Sequence, residues 1–124
     1  MTGYSVSIAY ASKDLTAKER IQLKDTTSAV KLDEVTQTEA VIIKPAMYAE
    51  LDIHNEMSDN KDYKNYIVVD EAGEKYVTGS TSFWTSFMDI AGEMENETEP
   101  WAIKVYRMPS KNYKGKEFIT CSIE

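Results

Sequence analysis

A mainly β domain with one substantial helix is predicted by three features of the sequence. Apolar and polar residues alternate in several short stretches, the first being Tyr4, Val6, Ile8 and Tyr10 against Ser5, Ser7 and Ala9. A glycine-containing turn separates two β-branched runs, Tyr66 to Val69 and Lys75 to Thr78. Only after Gly79 does the apolar spacing change from two to three and four residues.

Taken in order, the alternation from Tyr4 to Tyr10 predicts a strand with one face buried, ending at Ser12, Lys13 and Asp14. Thr16 to Glu19 has the pattern of a short capping-box turn. Ile21 and Leu23, then Val30 and Leu32, are spaced by two on either side of a polar stretch, which suits two strand segments or one bent strand. Val41 to Ile43 is apolar and β-branched, and the alternation resumes through Ala49, Leu51 and Ile53. Pro45 within that run predicts an edge or a bulge. Glu56 to Lys64 is polar and is expected to be an exposed loop, and Gly73 suits the positive φ of a hairpin turn.

Phe83, Phe87, Ile90 and Met94, widened by Trp84, Met88 and Ala91, form the stripe of one amphipathic helix, with Ser80 or Ser82 as its cap. Glu95 to Pro100 is a polar link. In the last stretch, Trp101, Ile103 and Val105 share one strand face, as do Ile119, Cys121 and Ile123. Lys104, Tyr106, Phe118 and Thr120 fall on the opposite faces, which a hairpin brings together. Several strands, a helix and two final strands match the order of a small five-stranded OB-like barrel with one amphipathic helix before its last two strands.

A chain of 124 residues and 14.1 kDa fits a single domain, residues 1–124. No apolar run approaches the ~18 residues that cross a bilayer, so no membrane partner is expected. Met1 to Ser5 carries no basic segment followed by an apolar one, and the expected location is the cytoplasm. One cysteine and one histidine provide no Cys/His metal set. Cys121, in its alternating apolar run, is read as a core thiol. The five glycines are too scattered for a phosphate loop, His54 has no visible partner, and no carboxylate pair stands out by spacing. No catalytic residue, metal or cofactor is assigned, and the expectation is a protein that is not an enzyme.

The net charge of −7 opposes nucleic-acid binding, yet its distribution does not. Residues 101 to 124 carry a net +3 against −10 for the preceding hundred, and the five acidic residues from Asp89 to Glu99 face no basic residue between Thr81 and Pro100. The basic segment includes aromatics: Lys104, Tyr106, Arg107, Lys111, Tyr113, Lys114, Lys116 and Phe118. Binders of single strands combine cations that follow the phosphates with aromatic faces on which bases stack. Lysines on an exposed hairpin that prevent sheet-to-sheet aggregation account for the same composition.

The stretches Leu15-Thr16-Ala17-Lys18-Glu19-Arg20, Lys31-Leu32-Asp33-Glu34, Tyr76-Val77-Thr78-Gly79-Ser80-Thr81-Ser82-Phe83 and Pro109-Ser110-Lys111-Asn112-Tyr113-Lys114-Gly115-Lys116 resemble those of small phage-encoded single-stranded-DNA-binding proteins with an OB fold. The resemblance runs from about Leu15 to the C-terminus. It implies sequence-tolerant binding of single-stranded DNA in phage replication or recombination within the host cytoplasm, as a homo-oligomer, with recombination or replication proteins as partners. The flexible acidic tail of many such proteins has no counterpart at Ile123-Glu124. The alternative expectation is an acidic protein-interaction module that inhibits or adapts a host protein.

Overall fold

A computed structural model of the chain describes residues 3–111 and 115–124. Its elements in order are β1 (Tyr4–Ala11), α1 (Ala17–Lys24), β2 (Val30–Lys31), α2 (Leu32–Val35), β3 (Val41–Ile43) and β4 (Pro45–Asn55). There follow β5 (Asp62–Asp70), β6 (Lys75–Thr78), α3 (Thr81–Met94), β7 (Ile103–Pro109) and β8 (Glu117–Ile123). The fold is mainly β, as expected, but the strands form two sheets, in the orders β1-β4-β5-β6-β2 and β3-β7-β8. Among the described residues no five-stranded barrel closes and three helices are present instead of one. The reason is that β3 pairs with β7, Val41 opposite Val105 and Ile43 opposite Ile103, so the last strands build a sheet of their own. The chain divides into two compact units, one comprising the stretch up to Val30 with Ala46–Gly79, the other Lys31–Pro45 with Ser80–Glu124.

In the first unit β4 is a central strand that turns Met47, Ala49, Leu51 and Ile53 into a core shared with Leu23, Ile67 and Val77. Pro45 occupies the first position of β4, ahead of the ladder with β1, which on β4 spans Ala49 to Asn55. β1 pairs with β4 in antiparallel register, Val6 opposite Ile53 and Ile8 opposite Leu51, and is itself the edge strand. The hairpin of β5 and β6 has the expected turn: Asp70 Oδ1 accepts from the N–H groups of Ala72 (3.0 Å) and Glu74 (2.8 Å), and Gly73 takes φ +90°. β5 begins at Asp62, so the polar loop before it is shorter than the sequence suggests.

α1 replaces the strand expected around Ile21 and Leu23, whereas the second expected segment is a strand at Val30–Lys31 (β2) and turns into α2 at Leu32. The Thr16 hydroxyl accepts from Glu19 N–H (3.2 Å) and the Glu19 carboxylate accepts from Thr16 N–H (2.9 Å), a complete capping box. Eight residues are too few for an independently stable helix, so tertiary anchors hold it. Leu23 is buried, and the Lys75 ammonium donates to the Gln22 and Asp25 carbonyls at the negative end of the helix. Two residues apart on a helix is about 200°, which is why Ile21 is exposed while Leu23 is buried.

In the second unit Ser80 caps α3, its hydroxyl accepting from Phe83 N–H at 3.2 Å. Phe83, Trp84, Phe87 and Ala91 are buried along one side of the helix. Phe87 lies 5.7 Å from Phe83, 5.6 Å from Trp84 and 6.3 Å from the half-buried Trp101, ring centre to ring centre. α3 is fastened to β8: Ser82 Oγ donates to the Ile119 carbonyl at 2.9 Å, and the Ser86 and Thr120 hydroxyls are 3.0 Å apart. Leu32, Ile43, Ile103, Val105, Ile119 and Cys121 are also buried in this unit, and burial pushes the Cys121 thiol up to about 12, a neutral core group.

Removing a ring from the aromatic cluster empties close-packed space, whereas removing the α1 cap forfeits one exposed hydrogen bond. Phe87→Ala is expected to lower unfolding free energy by about 3 to 5 kcal/mol and Thr16→Ala by about 1 kcal/mol. Urea unfolding followed by circular dichroism checks both.

Candidate nucleic-acid interface

The ladder between β7 and β8 decides which side chains reach solvent. Ile103 is opposite Ile123, Val105 opposite Cys121, and Arg107 opposite Ile119. Directly opposed residues in an antiparallel pair point to the same side. The other side therefore presents Lys104 with Ser122, Tyr106 with Thr120, and Met108 with Phe118. β3 extends this outer face by one position, because Ile42 is opposite Lys104.

Four apolar or aromatic side chains meet there without being buried. Tyr106 is half-buried, and Phe118, Met108 and Ile42 retain 37%, 42% and 49% of their surface. Tyr106 and Phe118 are diagonal neighbours across the two strands, within reach of one another for rings of this size. Lys104 is exposed beside Tyr106, and Lys111 and Lys116 are exposed where the chain leaves β7 and approaches β8. Among the described residues none of these three lysines makes an ion pair. Thr120, at the border of the face, is engaged with Ser86 of α3.

Of the eight residues expected to bind, Lys104, Tyr106 and Phe118 thus share one sheet face, with Lys111 and Lys116 at its end. Tyr113 and Lys114 lie outside the described residues. Arg107 does not join the group. It is on the core side of β7, where Nε donates to Thr36 Oγ1 (3.2 Å) and a terminal nitrogen donates to the Asp33 carbonyl (2.6 Å). Its guanidinium therefore closes the C-terminal part of the short α2 turn onto β7. Ile42 and Met108 were not anticipated on this face. Parity places Met108 with Tyr106, but nothing in the sequence indicates that β3 joins β7.

The outer face of β1, β4 and β5 has a different character. Lys64 Nζ bridges Asp52 (2.6 Å) and Glu50 (2.8 Å), and these carboxylates raise its pKa. His54 has partners after all: Nδ1 is 2.7 Å from Asp62 Oδ1 and Nε2 is 2.6 Å from Glu56 Oε1. Two carboxylate acceptors require both ring nitrogens to carry hydrogen, which is the imidazolium form. Ser5 is opposite His54 in the β1 ladder, so a serine, a histidine and a carboxylate are adjacent. However, the nitrogen that would accept a serine proton faces Glu56. A shallow groove lined by Ser5, Ser7, Asp52, His54, Asp62 and Lys64 runs over this network. Among the described residues there is no group of side chains arranged to hold a metal ion, and no helix is long and apolar enough to cross a membrane.

Comparison with protein-family models, with curated proteins and with solved structures returns no match to this chain.

The His54 clasp gives a pH dependence with a defined sign. Hydrogen bonds to Asp62 and then Glu56 raise the imidazole pKa above its ordinary 6.5. The clasp therefore contributes fully below that ordinary value and is lost as pH rises through the raised one. Proton NMR titration of the His54 ring should give a midpoint above 6.5, and Asp62→Asn should bring it down.

Proposed function

We propose that the outer face of the β3-β7-β8 sheet binds single-stranded DNA in a sequence-tolerant way, without catalysis. The observation that carries this reading is the placement of the half-buried Tyr106 and the exposed Phe118 on one outer sheet face, with Lys104 beside them and Lys111 and Lys116 at its end. Bases need flat apolar surfaces at intervals and phosphates need cations along the same path, and this face offers both. A duplex hides its base faces in the stack, so the same surface discriminates against it. Met108 and Ile42 add apolar area against which a base or sugar can rest.

Arg107 is assigned a structural role, holding α2, in place of the phosphate contact expected from the sequence. Tyr113 and Lys114, lying between Lys111 and Lys116 in sequence, remain part of the proposed site. The resemblance to phage single-strand binders supports action in replication or recombination in the host cytoplasm, with homo-oligomers along the strand. The run of exposed carboxylates at Glu93, Glu95, Glu97 and Glu99 repels phosphate, and it suits contact with a basic protein partner.

Fluorescence anisotropy of a labelled oligothymidine, titrated at several salt concentrations with duplex as competitor, tests the reading. Four lysines contacting phosphate predict a slope of log K against log salt of roughly −3. Tyr106→Ala with Phe118→Ala should weaken binding by about 10-fold or more per lost stack while leaving the far-ultraviolet spectrum unchanged. Arg107→Gln should lower the urea midpoint and leave the salt slope as it was. Absence of binding at low salt would overturn the reading and bring forward the acidic protein-interaction module.

A further inference from the structure

β1 is the edge of the five-stranded sheet, and its eight residues, Tyr4 to Ala11, include no charge and no proline. Proteins ordinarily protect an exposed edge with lysine, proline or a short strand. Here the protection is confined to one end, where a bulge between Ile8 and Tyr10 shifts the register. Before the bulge the hydrogen-bonding parity can be assigned. Glu56 N–H donates to the Gly3 carbonyl at 2.7 Å, so Ser5 and Ser7, in phase with Gly3, exchange bonds with β4. Tyr4, Val6 and Ile8 consequently turn their N–H and C=O groups away from β4, toward the open edge.

We propose that this edge pairs with the same edge of a second copy, β1 antiparallel to β1 about Val6. The strand is complementary to itself in that register. Val6 meets Val6, Tyr4 meets Ile8, and on the other face Ser5 meets Ser7, so apolar groups oppose apolar ones, hydroxyls oppose hydroxyls, and no charge opposes another. The three outward-facing residues of each copy supply donors and acceptors for one another. The pairing is isologous and closes after two copies, joining two five-stranded sheets into one of ten.

A cleft next to the edge fits the same occupant. It is lined by Ile8, Ala11 and Leu15 with Lys13, Asp14 and Arg20 around them. Tyr4, on the same strand face as Ile8, keeps 43% of its surface exposed in the single chain. In the paired arrangement the Tyr4 ring of each copy comes to lie beside Ile8 of the other, at the mouth of that cleft. An unrelated strand would need the same uncharged sequence and a large apolar side chain at the matching position, whereas a second copy has both.

Sedimentation equilibrium of the full chain and amide hydrogen exchange at high protein concentration test this together. The expected result is a dimer in which the amides of Tyr4, Val6 and Ile8 exchange slowly although, among the described residues, no strand covers them in the single chain. Ser5→Lys with Ser7→Lys, both at exposed positions, places like charges opposite each other twice and should weaken the dimer about tenfold. Ser5→Lys with Ser7→Glu places opposite charges at the same two contacts and should restore it. Circular dichroism and unfolding midpoints establish that both variants are folded. A wild-type chain that stays monomeric, rapid exchange at all three amides, or equal association of the two variants would each overturn the proposal.

Discussion

Side chains alternate along a strand, and on β7 and β8 that alternation leaves one acceptable arrangement. Ile103, Val105, Ile119 and Cys121 are buried together, each contributing roughly the 1 to 3 kcal/mol that full burial of such a side chain yields. A slip of one residue would bury Lys104 and expose that whole set. The same register therefore obliges Lys104, Tyr106, Met108 and Phe118 to face outward, and the proposed binding surface is a consequence of the core behind it. α3 depends on this register as well, since its serines are bonded to the Ile119 carbonyl and the Thr120 hydroxyl.

The electrostatics are organised differently on the two sheets. On the five-stranded sheet the acids are interleaved with Lys64 and His54, so polar partners are met within the face. These pairs are exposed, and each contributes little to stability in water. Their effect is to place cationic and acidic side chains against one another within that face. On the three-stranded sheet, among the described residues, Lys104, Lys111 and Lys116 make no ion pair.

Much of the fold was legible because local periodicity and long-range packing agree. The β5-β6 hairpin, the cap and stripe of α3, and the opposed faces of the last two strands are each visible in a window of a few residues. The failures have physical causes. Ile21 and Leu23 have strand-like spacing, but the capping box of Thr16 and Glu19 just before them starts a helix that buries only Leu23. Arg107 was counted with the lysines by composition, although its parity with Ile103 and Val105 already places it on the core side.

By itself the sequence determined which residues alternate, where the long helix begins and which segment carries cations with aromatics, because these depend on neighbours in the chain and on side-chain chemistry. Tertiary structure alone decided that β3 joins β7, that the strands divide into two sheets instead of closing a barrel, and that His54 is held between Asp62 and Glu56. Strand pairing is settled by hydrogen bonds and apolar contacts between segments as far apart as Ile42 and Lys104. No local pattern specifies such a partner, since many pairings satisfy the same alternation and only the packing of the complete chain distinguishes among them.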